Sequence, residues 1–192
     1  MQRLSLIANI LQIGTQANAA SNLQACTITN GTTIVNGAGN DIVASGQFAA
    51  TRVWNAVWND IVDFQQVCDE VVFGKCYYDT FDGARICNKR NQKSIIGLAS
   101  DTFGFAIGKR TDIKQVPIAV AGWVLAFVDK TYEPGSVLTC DENGNLTEMT
   151  HEEKINYPER IVAIYKRPEL DKYFGLENSK IEVNGRHWVK VK

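Results

Sequence analysis

The chain has 192 residues, with 20 Lys and Arg against 21 Asp and Glu, a formal net charge of −1 and 45% hydrophobic residues. That is the length of one domain, or of one domain plus an appendage, and it is enough to bury about 70% of the unfolded surface. The near-neutral balance and scattered basic residues, with Lys89-Arg90 and Lys109-Arg110 the densest pairs, speak against nucleic acid or an anionic membrane as partner.

Residues 1–24 read as a short amphipathic helix and anchor, with Leu4, Ile7, Ile10, Leu11 and Ile13 on one side. Arg3, the apolar run that follows and Ala17-Asn-Ala19 imitate a secretory signal, but Asn9, Gln12 and Gly14 interrupt the run. Residues 25–50 change character and carry few large apolar side chains. Asn30-Gly31 and Asn36-Gly37 are hairpin-type turn signals, because both residue types tolerate positive φ. The short strands between them are too poor in apolar area to offset about 1–2 kcal/mol of backbone entropy per residue. Pairing with copies in other chains solves this, so the segment is expected to form a short intertwined β shaft in an oligomer.

Residues 51–192 read as a β domain. The stretch 51–63, with Trp54, Val57, Trp58 and Ile61, suits a helix or a buried extended segment, and periodicity does not decide between them. Residues 71–78 alternate, and Asp82-Gly83 turns them into a hairpin with residues 84–87. Residues 94–99 and 103–107 are short strands joined at Ser100-Asp101-Thr102. Residues 117–128 are almost free of polar side chains on either face, the pattern of a strand buried on both sides at the centre of a barrel or between layers. This stretch is too short to cross a bilayer as a helix. Glu142-Asn-Gly-Asn145 is a turn, Thr150 with Glu153 is a capping box opening a short helix that stops before Pro158, residues 160–166 are a strand, and residues 180–192 form a hairpin around Asn184-Gly185. The expected fold is mainly β, a barrel-like domain with one or two short helices.

The chemistry-bearing residues are sparse. Five cysteines (Cys26, Cys68, Cys76, Cys87, Cys140) and two histidines (His151, His187) offer no zinc spacing, and a chain of this size does not need disulfide staples. The odd count leaves at least one thiol free or paired between chains, and Cys68, Cys76 and Cys87 sit in or beside apolar stretches that suit buried thiols. There is no phosphate loop, nucleophile elbow or triad, and no cofactor or metal is expected. Asp141-Glu142-Asn143-Gly144-Asn145 lacks the spacing of a calcium loop and reads as a hairpin turn. Asp60 and Asp63 are the one acid–base candidate: on a helix they would share a face beside Trp54, Trp58 and Phe64, and two carboxyls in an apolar setting can hold different protonation states. Without such a site the same pair is a surface or capping feature. Tyr77, Tyr78, Phe81 and Tyr132 are the aromatics available for a glycan surface.

Ala50-Thr-Arg-Val-Trp-Asn-Ala-Val-Trp-Asn-Asp60, Ser100-Asp-Thr-Phe-Gly-Phe-Ala-Ile-Gly108, Val116-Pro-Ile-Ala-Val-Ala-Gly122, Tyr157-Pro-Glu-Arg-Ile161 and Val183-Asn-Gly-Arg-His-Trp-Val-Lys190 together resemble the C-terminal module of tailed-phage fibre and appendage proteins, from phages and prophages of Gram-positive bacteria. The resemblance covers residues from about 41 to 192. It implies a structural virion protein: a homotrimeric fibre, spike or capsid or tail decoration, bound to other virion proteins through its N-terminal segment. More distantly, the chain is similar to the glutamic-peptidase-type domain of podovirus neck appendages, an intramolecular chaperone that cuts itself off after trimerisation. Those relatives carry Asp-x-Ala-Glu where this chain has Asp60-Ile-Val-Asp63, with a side-chain arm one methylene shorter at Asp63. The resemblance therefore implies two alternatives: an autoproteolytic chaperone using Asp60 and Asp63, and a receptor-binding module reading a host cell-wall glycan.

Overall fold

The computed structural model describes residues 59–108, 111, 113–175 and 180–192. The expected N-terminal helix, the 25–50 shaft, Cys26, Trp54 and Trp58 lie outside the described residues.

The described residues are mainly β. The strands are β1 (Asp60–Gln66), β2 (Cys76–Tyr78), β3 (Arg85–Ile86), β4 (Ile95–Ala99), β5 (Phe103–Ile107), β6 (Gln115–Ala126), β7 (Val137–Cys140), β8 (Leu146–Glu148), β9 (Ala163–Pro168), β10 (Tyr173–Phe174), β11 (Ile181–Glu182) and β12 (His187–Val191), with one helix, α1 (His151–Asn156), and a 3-10 turn (Pro158–Arg160) between β8 and β9. Ten strands make one sheet in the order β3-β2-β4-β6-β12-β9-β7-β8, with β1 laid along β6 and β5 along β1.

The long strand β6 organises this sheet. It pairs antiparallel with β1 from Gln115 to Gly122, with β4 at Ile118 and Ala119, and with β12 from Trp123 to Ala126. Its two ends are buried, as an uninterrupted apolar run requires. The middle is not: Val120 and Ala121 are exposed where the register with β1 slips between Ile61 and Val62, a bulge that leaves Val120 without a partner on β1.

The sheet curls around a core that includes Val62, Leu98, Val124, Leu138, Tyr165 and Val189. Its ends are joined by single backbone hydrogen bonds, Cys76 N to Gly144 O at 2.8 Å and Asn91 N to Cys140 O at 3.1 Å. Among the described residues no ladder joins β3 to β8, so the expected barrel is corrected to a curled sheet that does not close there. A barrel needs a continuous register around its circumference, and the two-residue β3 has too few backbone groups to extend one.

The local turn chemistry follows the side chains. Tyr77 and Tyr78 face Ile86 and Arg85 across the β2–β3 hairpin. Thr150 caps α1 by accepting from Glu153 N while the Glu153 carboxylate accepts from Thr150 N, the reciprocal capping box. Asn184 and Gly185 both take positive φ, 52° and 73°, as a type I′ turn demands. The strands that this turn joins do not pair with each other: β11 pairs with β10, whereas β12 enters the large sheet between β6 and β9. The expected 180–192 hairpin is thus corrected to a turn that hands the chain from one sheet to another. Cys76, Cys87 and Cys140 are buried free thiols, whereas Cys68 is exposed.

Candidate functional site

Asp60 opens β1 rather than a helix. Along a strand, residues three apart point to opposite faces. Asp60 and Val62 are fully buried while Asp63 is half-buried, so the structure does not bring the two carboxyls together. Asp63 instead accepts from Gln65 Nε2 at 2.5 Å.

Asp60 is held from three directions. Asn59 O accepts from Trp123 N at 3.0 Å, fixing the start of β1 against β6. Across the ladder lies Gly122, at φ +110°, where a Cβ would come within 2.3 Å of Asn59 O and 2.7 Å of Asp60 Cα. Only glycine lets the two backbones approach this closely. From the β4–β5 loop, Thr102 Oγ1 donates to Asp60 Oδ1 at 2.9 Å, and Thr102 Oγ1 and Ser100 Oγ are 3.1 Å apart. Asp60 Oδ2 is buried and has no partner among the described residues.

Burial pushes the Asp60 carboxyl up from 3.8 to about 6, the Ser100 and Thr102 hydroxyls pull it partly back, and the nearby Asp101 charge adds a smaller upward push. A group that costs this much when charged changes its protonation state close to neutral pH. Both oxygens of Asp101 are taken by Arg186, Nη1 at 2.7 Å and Nη2 at 2.9 Å. Arg186 is buried and also donates from Nε to Val183 O and from Nη2 to Glu182 O. The arrangement is a single protonatable carboxyl with one unengaged oxygen, two hydroxyls beside it and a neutralised ion pair behind.

The other sequence candidates are dispersed. His151 is exposed at the start of α1, and His187 lies on β12 with Nδ1 2.8 Å from Tyr165 Oη, its pKa lowered by burial. Asp141 Oδ1 accepts from Asn143 N and Asn145 N, both at 2.8 Å, so its carboxylate is absorbed in shaping the β7–β8 turn. Tyr77 is fully buried, its hydroxyl donating to Glu70 O, while Phe81 is fully exposed and Tyr132 donates to Asp129. These aromatics do not form one surface. No group of His, Cys, Asp and Glu among the described residues could hold a metal ion, and no helix among them is long and apolar enough to cross a membrane.

Ser100, Asp101 and Thr102 read from the sequence as a joint between strands, and neither they nor Arg186 stand out there as site candidates, although all four lie in motifs that carry the resemblance. Their convergence on Asp60 depends on the β1–β5 pairing, which is parallel and sets Asp60 opposite Phe103.

No protein-family model and no curated protein matches the chain. Its fold is similar to the crystal structure of the pre-mature bacteriophage phi29 gene product 12, with a TM-score of 0.53 and 14% sequence identity. The likeness covers 77% of this chain and 24% of that one, so the chain spans about a quarter of the length of its structural neighbour. What the two share is a fold.

Proposed function

We propose that the chain is a structural virion protein of a tailed phage, the folded part of a trimeric fibre, spike or decoration. The observation that carries this reading is the likeness in fold to a phage gene product. The surface chemistry supports the oligomer. Among the described residues β5 pairs only with β1, leaving its other edge open. That strand, Phe-Gly-Phe-Ala-Ile, carries no charge, and Phe105 and Ile107 are 49% and 44% exposed. A soluble monomer protects an open edge with charge, proline or a covering segment. An uncharged aromatic edge suits burial against a second copy. Light scattering on a sizing column tests the assembly: three times 21.3 kDa, about 64 kDa, is expected, and a 21.3 kDa particle would remove the trimer. Antibody labelling of purified virions tests the location, and unlabelled particles would overturn it.

A second reading, a self-cleaving assembly domain, is favoured by one observation, the buried Asp60 with its raised pKa and unengaged oxygen. Such a carboxyl can pass a proton to or from a peptide bond held against it. In this reading Asp60 acts with the Ser100 and Thr102 hydroxyls, and Asp63 stays on the opposite face. An intact-mass measurement after assembly decides. A cut between about residues 40 and 60 that Asp60→Asn abolishes supports it, and a full-length trimer rejects it.

A further inference from the structure

We propose that Lys75 and Asn145 join in a spontaneous intramolecular isopeptide bond, an amide between Lys75 Nζ and the Asn145 side chain, formed with loss of ammonia. Asp141 serves the proton transfer. The bond lies within one chain, so it is independent of the virion reading and of the trimer.

Three side chains meet at the turn between β7 and β8. Lys75 Nζ donates to Asn145 Oδ1 at 2.6 Å and to Asn143 O at 2.9 Å. On the other side of the same carboxamide, Asn145 Nδ2 donates to Asp141 Oδ2 at 3.2 Å. A lysine needs an acceptor and a carboxylate needs a donor, so these two partners fix which end of the amide faces which. The nucleophile thus sits at the carbonyl and the carboxylate at the leaving nitrogen, the order that amide exchange requires. The Phe127 ring flanks the amine, its centroid 5.3 Å from Nζ.

The backbone holds both ends of the pair still. On the Lys75 side, Gly74 N donates to Ala99 O at 2.8 Å, Phe127 N to Gly74 O at 3.0 Å and Ala99 N to Lys75 O at 3.0 Å. Cys76 N reaches Gly144 O at 2.8 Å, which ties the residue after Lys75 to the residue before Asn145. Gly144 packs so closely on β3 that an added Cβ would lie 2.7 Å from Ile86 Cγ2 and 3.2 Å from Cys87 O. On the Asn145 side, Asp141 Oδ1 accepts from Asn143 N and Asn145 N, both at 2.8 Å, so Oδ2 is the oxygen that faces the carboxamide. Groups fixed in contact react with effective molarities of about 10⁵ M or more, which lets an amine displace ammonia from an unactivated amide.

The step balances within these groups and water. The neutral amine attacks Asn145 Cγ: the Nζ–Cγ bond forms from the amine lone pair, and the Cγ–Nδ2 bond breaks with its electron pair leaving on nitrogen. Nζ sheds two of the three protons of its ammonium form, and the departing nitrogen gains two and leaves as ammonium. Asp141 Oδ2 hands one of these to Nδ2, and water supplies the other. The product amide bridges the seam where the curled sheet does not close, beside the hydrogen bond from Cys76 to Gly144.

Intact-mass measurement and peptide mapping of the full chain test the proposal, on freshly purified protein and after a day at about pH 9, where an amine is more often neutral. The expected mass is about 17 Da below that of the sequence, one ammonia, with a branched peptide joining Lys75 to Asn145. Lys75→Arg keeps a cation that donates to the same carbonyls but does not attack. Asp141→Asn keeps an oxygen to accept from the turn but relays no proton. Circular dichroism should show both variants folded, the first at full mass and the second linking at least about 100-fold more slowly. A wild-type chain at full mass under both conditions would overturn the bond. So would an ammonia loss that persists in Lys75→Arg, because Asn143-Gly144 and Asn184-Gly185 lose the same mass on closing to succinimides. Linking of Asp141→Asn at the wild-type rate would remove Asp141 from the step.

Discussion

Arg186, in the turn before β12, and Asp101, between β4 and β5, are 85 positions apart in sequence and meet fork to fork at 2.7 and 2.9 Å. Arg186 is only 3% exposed. A buried pair of this kind adds little over an apolar replacement, yet breaking it leaves an uncompensated charge. Asp101→Ala should therefore destabilise the domain by about 3–5 kcal/mol, as read by urea unfolding. A loss below about 1 kcal/mol, the scale of an exposed pair, would mean that Arg186 finds water instead.

Asp60 makes stability depend on pH in an unusual direction. Its folded pKa of about 6 lies above the ordinary 3.8, so the folded state binds this proton more tightly than the unfolded one. The resulting stabilisation is complete below about pH 4 and is lost as pH rises through 6, a swing of about 3 kcal/mol. Glu153 works the other way: hydrogen bonds from Arg90 hold it at about 2, so its contribution is present above its ordinary 4.5 and fades towards pH 2. Comparing wild type with Asp60→Asn isolates the first term. The variant should gain on wild type as pH is raised from 4 to 7.5, and parallel stability profiles would contradict the buried carboxyl.

Gly122→Ala should be among the most damaging small substitutions in the chain. The added methyl meets backbone on the neighbouring strand, at 2.3 Å from Asn59 O, and a backbone atom cannot rotate away as a side chain can. With φ at +110° the alanine is strained as well, so a loss above about 3 kcal/mol or insoluble expression is expected. Gly135→Ala is the control: its φ is also positive, but nothing lies near the added carbon. Equal melting temperatures for the two variants would show that the contact with β1 is relaxed.

Replacing Phe105 and Ile107 with lysine tests the assembly surface. Both side chains are exposed on β5, so the fold should be kept while the proposed trimer no longer forms. Circular dichroism and light scattering together read the two effects. A trimer that survives with both lysines in place would move the interface elsewhere.

The elements that sequence reveals here are those set by local rules. Asn184-Gly185 fixes its own backbone, Thr150 and Glu153 cap each other across one helical turn, and residues 117–128 have no polar face to offer solvent. Asp60 and Asp63 were ambiguous for a physical reason: three residues apart is one face on a helix and two faces on a strand, and Trp54, Trp58 and Ile61 fit either period. Burial of Asp60 beside Thr102 depends on a parallel pairing between segments about forty residues apart, and the Asp101–Arg186 pair on one twice as distant. Side-chain identity carries no mark of such partners. The barrel expectation failed at the same level, since closure is a property of register around the whole sheet and β3 is too short to supply its share.

The placement of β1 also has a mechanical consequence. It is held parallel to β5 from Asp60 to Asp63 on one side and antiparallel to β6 from Asp60 to Gln66 on the other, and β6 is in turn bound to β4 and β12. A pull on Asn59 along the axis of β1 loads both ladders in shear, so that many hydrogen bonds must fail together instead of opening one at a time. Tension arriving at Asn59 would be passed from β1 into β6 and on to its neighbours, so the load would be shared across the sheet.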